Sequence, residues 1–248
     1  MSANPQGGHM GPAMVRPCED RGVLMLIWWS LFMVLGIALF HPSDARGAET
    51  IKLPPPVKTG GMPLAEALEV RRTVRRFASR PLDLAQISQL LWSADGTSDP
   101  RGLRTAPSAG ATYPLDLYLV VGERGVADLA AGVYRYQVGA HALTPVALGE
   151  VRAAVARAAL HQSWMTQAPV MVVITGEYRR CAGRYGERGV RYTHMEAGNA
   201  SQNLFQAAEA LGLGAGIVGA FEDKALAQVL KLPPAHEPLL VMPVGYKH

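Results

Sequence analysis

The sequence is short of cysteine, aromatic side chains and charge, and each shortage excludes something. Its 248 residues include two cysteines, Cys18 and Cys181, so a disulfide framework and a cysteine-built zinc or iron–sulfur site are both ruled out. Charged residues make up 18%, the net charge is +4, and Lys and Arg form no long block, which excludes nucleic acid as the main partner. Aromatic residues are 7%, but hydrophobic residues reach 49%, too apolar for a disordered chain. His161, His194 and His236 show no ligand spacing, so no metal site is expected.

One long apolar run is present. Val23 to Phe40 are 18 consecutive uncharged positions holding two of the four tryptophans. As a helix rising about 1.5 Å per residue, the run would just cross a bilayer. Ser43-Asp44-Ala45 then puts small residues at the −3 and −1 positions of a cleavage site. Residues 1–45 therefore read as a signal peptide or membrane anchor, and initiation at Met14 gives the n-region an ordinary length. Export to the periplasm is the favoured expectation, with the membrane touched only through this segment. Arg16 and Arg21 before the run, against Arg46, Lys52 and Lys58 after it, leave the cytoplasmic face open as well.

Residues 46–62 contain PPP and a glycine pair and read as an extended tether. The domain is expected over 63–248. Leu64, Ala65, Leu68 and Val70 sit near helical spacing after Pro63, and Asp83 suits the N-cap of a helix ending at Asp95-Gly96. Leu115, Leu117, Leu119 and Val121 alternate as in a half-buried strand. Two short strands around Gly139-Ala140, a helix over Glu150–His161, a strand over Pro169–Thr175, a long helix over Thr193–Leu211 and a last strand over Pro238–Gly245 follow. This interleaving predicts an α+β domain with a mixed central sheet.

Three segments could carry chemistry. RRTVRRF (Arg71 to Phe77) groups guanidinium groups and a hydroxyl at a helix exit, which suits a phosphate or a solvated basic face. PSAGATYP (Pro107 to Pro114) is a loop of small residues whose free N–H groups and hydroxyls could meet a flat ligand. GLGAGIVGAF (Gly212 to Phe221) has GxGxxG spacing, but it follows a helix instead of opening one, so a dinucleotide fingerprint fails.

Taken in order with RYGERGVRYTHMEAGNASQNLFQAAEALGLG and the closing LPPAHEPLLVMPVGY, these segments resemble the FMN-dependent nitroreductase-fold oxidoreductases, within them the azoline-dehydrogenase-like branch. The resemblance runs from about Leu53 to Tyr246. It implies a three-layer α+β sandwich and an intertwined homodimer with FMN at the interface. It also assigns roles. Arg71, Arg72 and Thr73 would serve the phosphate end, and Arg75 the pyrimidine edge. Pro107, Ser108, Ala109 and Ala111 would line the ribityl chain or ring edge. Val218, Gly219 and Ala220 would face the isoalloxazine, with Gly219 needed for close approach.

Two departures matter. Ala111 stands where the family often has Asn, and Arg184-Tyr185 stands where the azoline branch has Lys-Tyr. A buried lysine can become a base, whereas an arginine cannot. Tyr185 remains as an acid or hydrogen-bond donor, and Arg184 suits an anionic substrate. The resemblance thus implies a ping-pong oxidoreductase acting on a small organic molecule, with NAD(P)H as a candidate electron donor. The alternatives are a flavin-binding protein without turnover, a deiodinating relative and an azoline dehydrogenase of peptide natural products. Cys181 beside Arg180 reads as a passive buried thiol.

Overall fold

A computed structural model describes residues 49–248. The apolar run at 23–40 and the expected cleavage site lie outside these residues. Among the described residues no helix is long and apolar enough to cross a membrane.

The elements are β1 (Ile51–Lys52), α1 (Leu64–Val70), α2 (Leu84–Asp95), β2 (Leu115–Val121), β3 (Gly132–Gln137), β4 (Ala142–Leu148), α3 (Arg152–Ala158), β5 (Val170–Gly176), α4 (Tyr178–Tyr185), α5 (Arg188–Ala210), β6 (Leu213–Ala215), α6 (Asp223–Val229) and β7 (Glu237–Tyr246). The strands form one seven-stranded sheet in the order β1-β4-β3-β2-β5-β7-β6. All strand pairs are antiparallel. The mixed character expected from the sequence is confined to isolated parallel bridges, Thr73 with Ala215 and Leu82 with Val126.

Helices cover both faces and produce three layers. Leu117, Leu119 and Val121 of β2 face α2 and α5 through Ile87, Leu91, Ala200 and Leu204. Tyr118 and Val120 face the opposite side with Val155, Leu226 and Val241. The alternation in β2 reads as half-buried, but the second layer of helices buries every position of this strand.

Local signals set most boundaries. Asp83 closes a reciprocal capping box: its side chain accepts the Gln86 N–H at 2.7 Å, and Gln86 Oε1 accepts the Asp83 N–H at 3.1 Å. The long helix begins at Arg188 instead of Thr193, since its first turn is polar and carries no apolar stripe. In α1 only Ala67 is buried, and Leu64 and Leu68 are 67% and 51% exposed.

Residues 51–57 are not a free tether. Ile51 and Lys52 pair with Leu143 and Ala142, Leu53 is buried, Ser88 Oγ donates to the Pro54 carbonyl at 2.6 Å, and the Val57 N–H donates to Gln89 at 2.8 Å. Composition marks the prolines but not the sheet edge that receives them.

Candidate functional site

Helix α5 is the common support of all three segments. The RRTVRRF stretch leaves α1 and runs beside the end of the sheet, where Thr73 bridges to Ala215 and the Val74 N–H donates to the Ala215 carbonyl at 2.9 Å. Here the Arg71 guanidinium lies over the Phe205 ring of α5 at 5.1 Å, and that of Arg75 lies over Trp164 at 5.8 Å. Among the described residues, no ion pair involves Arg71, Arg72 or Arg75. A guanidinium held on an aromatic face, a contact worth about 0.5–2 kcal/mol, keeps its N–H fork free for an anion. Arg72 differs, because its Nη1 donates to the Glu69 and Arg71 carbonyls, each at 2.8 Å, and so finishes α1.

The glycine-rich segment continues from β6. Val218 exchanges two backbone hydrogen bonds with Val241, both at 2.9 Å. Close approach inside the chain falls on other glycines: a Cβ at Gly216 would come within 2.7 Å of Trp164, and one at Gly214 within 2.6 Å of Val74. At Gly219 a Cβ would meet only Leu240, at 3.8 Å, and at Gly198 nothing within 4 Å. Both glycines line a cleft of about 530 Å³ shared with Ser201, Ile217, Tyr178 and His194. Gly214 and Gly216 are thus closely packed inside the chain, while Gly219, the third glycine of the GxGxxG spacing, is open. Ala220 is exposed beside this cleft.

The third segment is strained and tied down. Gly110, Ala111 and Tyr113 have φ of +58°, +52° and +46°. For the two non-glycine residues this costs roughly 1–2 kcal/mol each. Four anchors oppose that cost. The Ala109 N–H donates to Glu196 Oε1 at 2.9 Å, and the Tyr113 N–H to Ser108 Oγ at 2.9 Å. Arg184 Nη1 donates to the Gly110 carbonyl at 3.1 Å, and Arg180 Nη1 to the Tyr113 carbonyl at 3.2 Å. The N–H groups of Ala111 and Thr112 also bond within the turn. The free N–H groups expected of this loop are thus already used at Ala109, Ala111, Thr112 and Tyr113, and the loop offers Pro107 and Ala111 as exposed small surface. Glu196 is buried, and burial raises its carboxyl above the usual carboxylate range, against the opposing hydrogen bonds of Ala109 and Ser108.

Arg184 and Tyr185 end α4 against this loop. A Cβ on Gly110 would come within 2.5 Å of the Tyr185 hydroxyl, and the Tyr185 ring meets Tyr192 edge-on at 5.3 Å. Behind the loop lies a charge network that the sequence did not reveal, because its members come from the start of β2, the start of α4 and the turn before β7. Asp116 pairs with Arg135 at 2.6 Å and Arg180 at 2.8 Å, Arg180 also pairs with Glu177 at 2.7 Å, and Tyr118 hydrogen-bonds His236 Nδ1 at 2.9 Å. Burial lowers His236 below the ordinary imidazole range and pushes Tyr118 up to about 12. Asp116, Glu177 and His236 have the donor types of a metal site, but the Arg180 guanidinium already bridges both carboxylates as the cation.

One chain brings Arg71 and Arg75 together with the 213–219 segment. The 107–113 loop meets α5 at Glu196, nine positions before Phe205, or about 13.5 Å at 1.5 Å per residue. Among the described residues no hydrogen bond or ion pair joins that loop to Arg71–Arg75.

Comparison with known proteins identifies the family and the fold. The model of the nitroreductase family matches residues 68–246. A Methanocaldococcus jannaschii protein named as a nitroreductase is 44% identical over 184 residues, 74% of this chain and 91% of that protein. A Ralstonia eutropha structure titled as a nitroreductase superposes with a TM-score of 0.69 at 29% identity, covering 82% of this chain and 91% of that one. The microcin B17-processing protein McbC of Escherichia coli is 28% identical over 155 residues, 61% of this chain and 57% of McbC.

Proposed function

The chain belongs to the nitroreductase family of oxidoreductases, and on that premise we propose that it binds FMN and passes electrons from a donor to a small organic acceptor. The carrying observation is the pair Arg71 and Arg75, which rest on Phe205 and Trp164, form no ion pair among the described residues, and flank Thr73, which bridges to Ala215 in the segment that continues to Gly219. These residues fit a flavin nucleotide. Arg71, with Thr73, would hold the phosphate through charge-assisted hydrogen bonds. Arg75 would place positive charge where the ring becomes negative on reduction, and Gly219 and Ala220 would border the ring, whereas the Val218 side chain is buried in the core with Leu226 and Val241 and not turned to the cleft. Bound FMN supplies the hydride chemistry that no side chain here can perform.

NAD(P)H is the proposed donor. We also propose a homodimer, since the 107–111 loop lies apart from Arg71–Arg75 within one chain and a second copy would bring them to one site. The exposed Leu64 and Leu68 of α1 give that second copy an apolar surface.

A second reading, oxidation of peptide azolines, draws on the similarity to McbC, a processing protein. Arg184 counts against it, because a guanidinium that donates to the Gly110 carbonyl cannot also take up a proton. The deciding experiment is to purify the protein, quantify released FMN and add NADPH without oxygen. Stoichiometric FMN that bleaches supports the proposal. Flavin that stays oxidised with every donor points to binding without turnover, and a colourless protein that ignores added FMN overturns the flavin reading.

A further inference from the structure

The cleft beside Gly219 contains a hydrogen-bonded acid pair that the functions above leave unused. Tyr178, the first residue of α4, and His194, on α5, meet with the hydroxyl 2.8 Å from Nε2 and the rings edge-on at 5.5 Å. Both line the cleft, and so do the carboxylates Asp223 and Glu237, but among the described residues no Lys or Arg does. Burial, then Glu237 and Asp223, raise Tyr178 above the ordinary phenol range, which keeps its proton on oxygen. His194 itself is exposed to solvent.

We propose that Tyr178 is the catalytic proton donor to the acceptor in this cleft and that His194 resupplies it. The proposal rests on the flavin reading. A quinone reduced to its hydroquinone takes up one hydride and one proton. The hydride would be supplied by bound FMN in its reduced form. The proton comes from Tyr178: its O–H bond breaks as the O–H bond of the hydroquinone forms. The Nε2–H of protonated His194 passes to the Tyr178 oxygen, and the neutral imidazole then takes a proton from solvent.

The charges around the cleft make this transfer necessary. Negative charge growing on the acceptor would face Asp223 and Glu237, and among the described residues no cationic side chain lines the cleft to offset it, so protonation is favoured. Tyr185 is not placed to serve, because its hydroxyl is turned to Gly110.

The test uses flavin-loaded wild-type protein, Tyr178→Phe and His194→Gln, reduced without oxygen and mixed with menadione or ferricyanide. Menadione needs the proton, whereas ferricyanide takes electrons alone. Tyr178→Phe is expected to slow menadione reduction about 100-fold, in the range of general acid catalysis, and to abolish the solvent deuterium isotope effect. Its flavin content and its ferricyanide rate are expected to match wild type. His194→Gln is expected to slow menadione about 10-fold, in proportion to the weaker proton supply. In oxidised wild-type protein, menadione is expected to shift the His194 ring-proton resonance. Unchanged menadione rates, equal losses with both acceptors, or an unmoved His194 resonance would overturn the proposal. A wild-type protein without flavin would instead remove the reading beneath it, and this shows before any variant is compared.

Discussion

Glu196 accepts the Ala109 N–H at 2.9 Å, so a buried carboxyl on the central helix fixes the loop that leads into the central strand. Glu196→Ala leaves that donor unpaired and is expected to cost about 1–3 kcal/mol in chemical denaturation. Glu196→Gln keeps an acceptor oxygen at the same reach and is expected to lose less. Equal losses in the two variants would show that the carboxyl does not hold the loop through this bond.

Asp95 predicts a pH dependence of stability. It is buried at the end of α2, ion-paired with Arg104, and burial raises it from 3.8 to about 7 against that pairing. Between these values the folded protein binds more protons than the unfolded chain. Its contribution is therefore complete below about pH 4 and is lost as pH rises through about 7. Asp95→Asn is expected to flatten this slope in urea midpoints measured across that window. A slope identical to wild type would assign it to another group.

Arg71 and Arg72 are neighbours with different duties. Arg71→Ala is expected to weaken FMN binding by about 1.5–3 kcal/mol, roughly 10- to 150-fold, as for a charged hydrogen bond. Arg72→Ala is expected to change affinity far less and to destabilise the end of α1, since its guanidinium caps Glu69 and Arg71 carbonyls. Fluorescence titration of flavin-free protein distinguishes the two. Equal effects would return the whole run to a solvated basic face.

Gly110 is pressed against Tyr185. Gly110→Ala places a methyl group 2.5 Å from the Tyr185 hydroxyl and imposes φ of +58° on an L-residue. The substitution is expected to destabilise by at least the roughly 1–2 kcal/mol of that backbone strain. Tyr185→Phe removes the hydroxyl, so the double variant should recover part of the loss, with a coupling of about 0.5–3 kcal/mol. Strict additivity would separate the two residues. Flavin content of Tyr185→Phe alone should stay at the wild-type level.

Local chemistry was legible in the sequence, whereas the partners of surfaces were not. The Asp83 cap, the hairpin around Gly139-Ala140 and the apolar runs of β5 and β7 follow from neighbours in sequence. Leu64 and Leu68 were legible as an apolar stripe, but no periodicity reveals that the stripe is left uncovered. Arg71 and Arg75 could be picked out by type, while their support by Phe205 and Trp164 needs the fold. Glu196 gave no signal, because nothing local distinguishes it from Glu209, the other acid of this helix. Asp116, Glu177 and His236 are so far apart in sequence that only the antiparallel register assembles them.

The edges of the sheet bear on how copies of this chain can associate. At one edge, Ile51 and Lys52 cover Ala142 and Leu143 of β4, and further along Pro145 has no N–H to offer an incoming strand. At the other edge, Thr73 and Val74 engage Ala215 of β6. Both margins are thus blocked to an additional strand. Continuation of the sheet from copy to copy, the usual route to fibres, is closed along most of its length. Self-association must then run through helix faces, which are finite and can be satisfied by a single neighbour, so the assembly is expected to stop at a small closed oligomer.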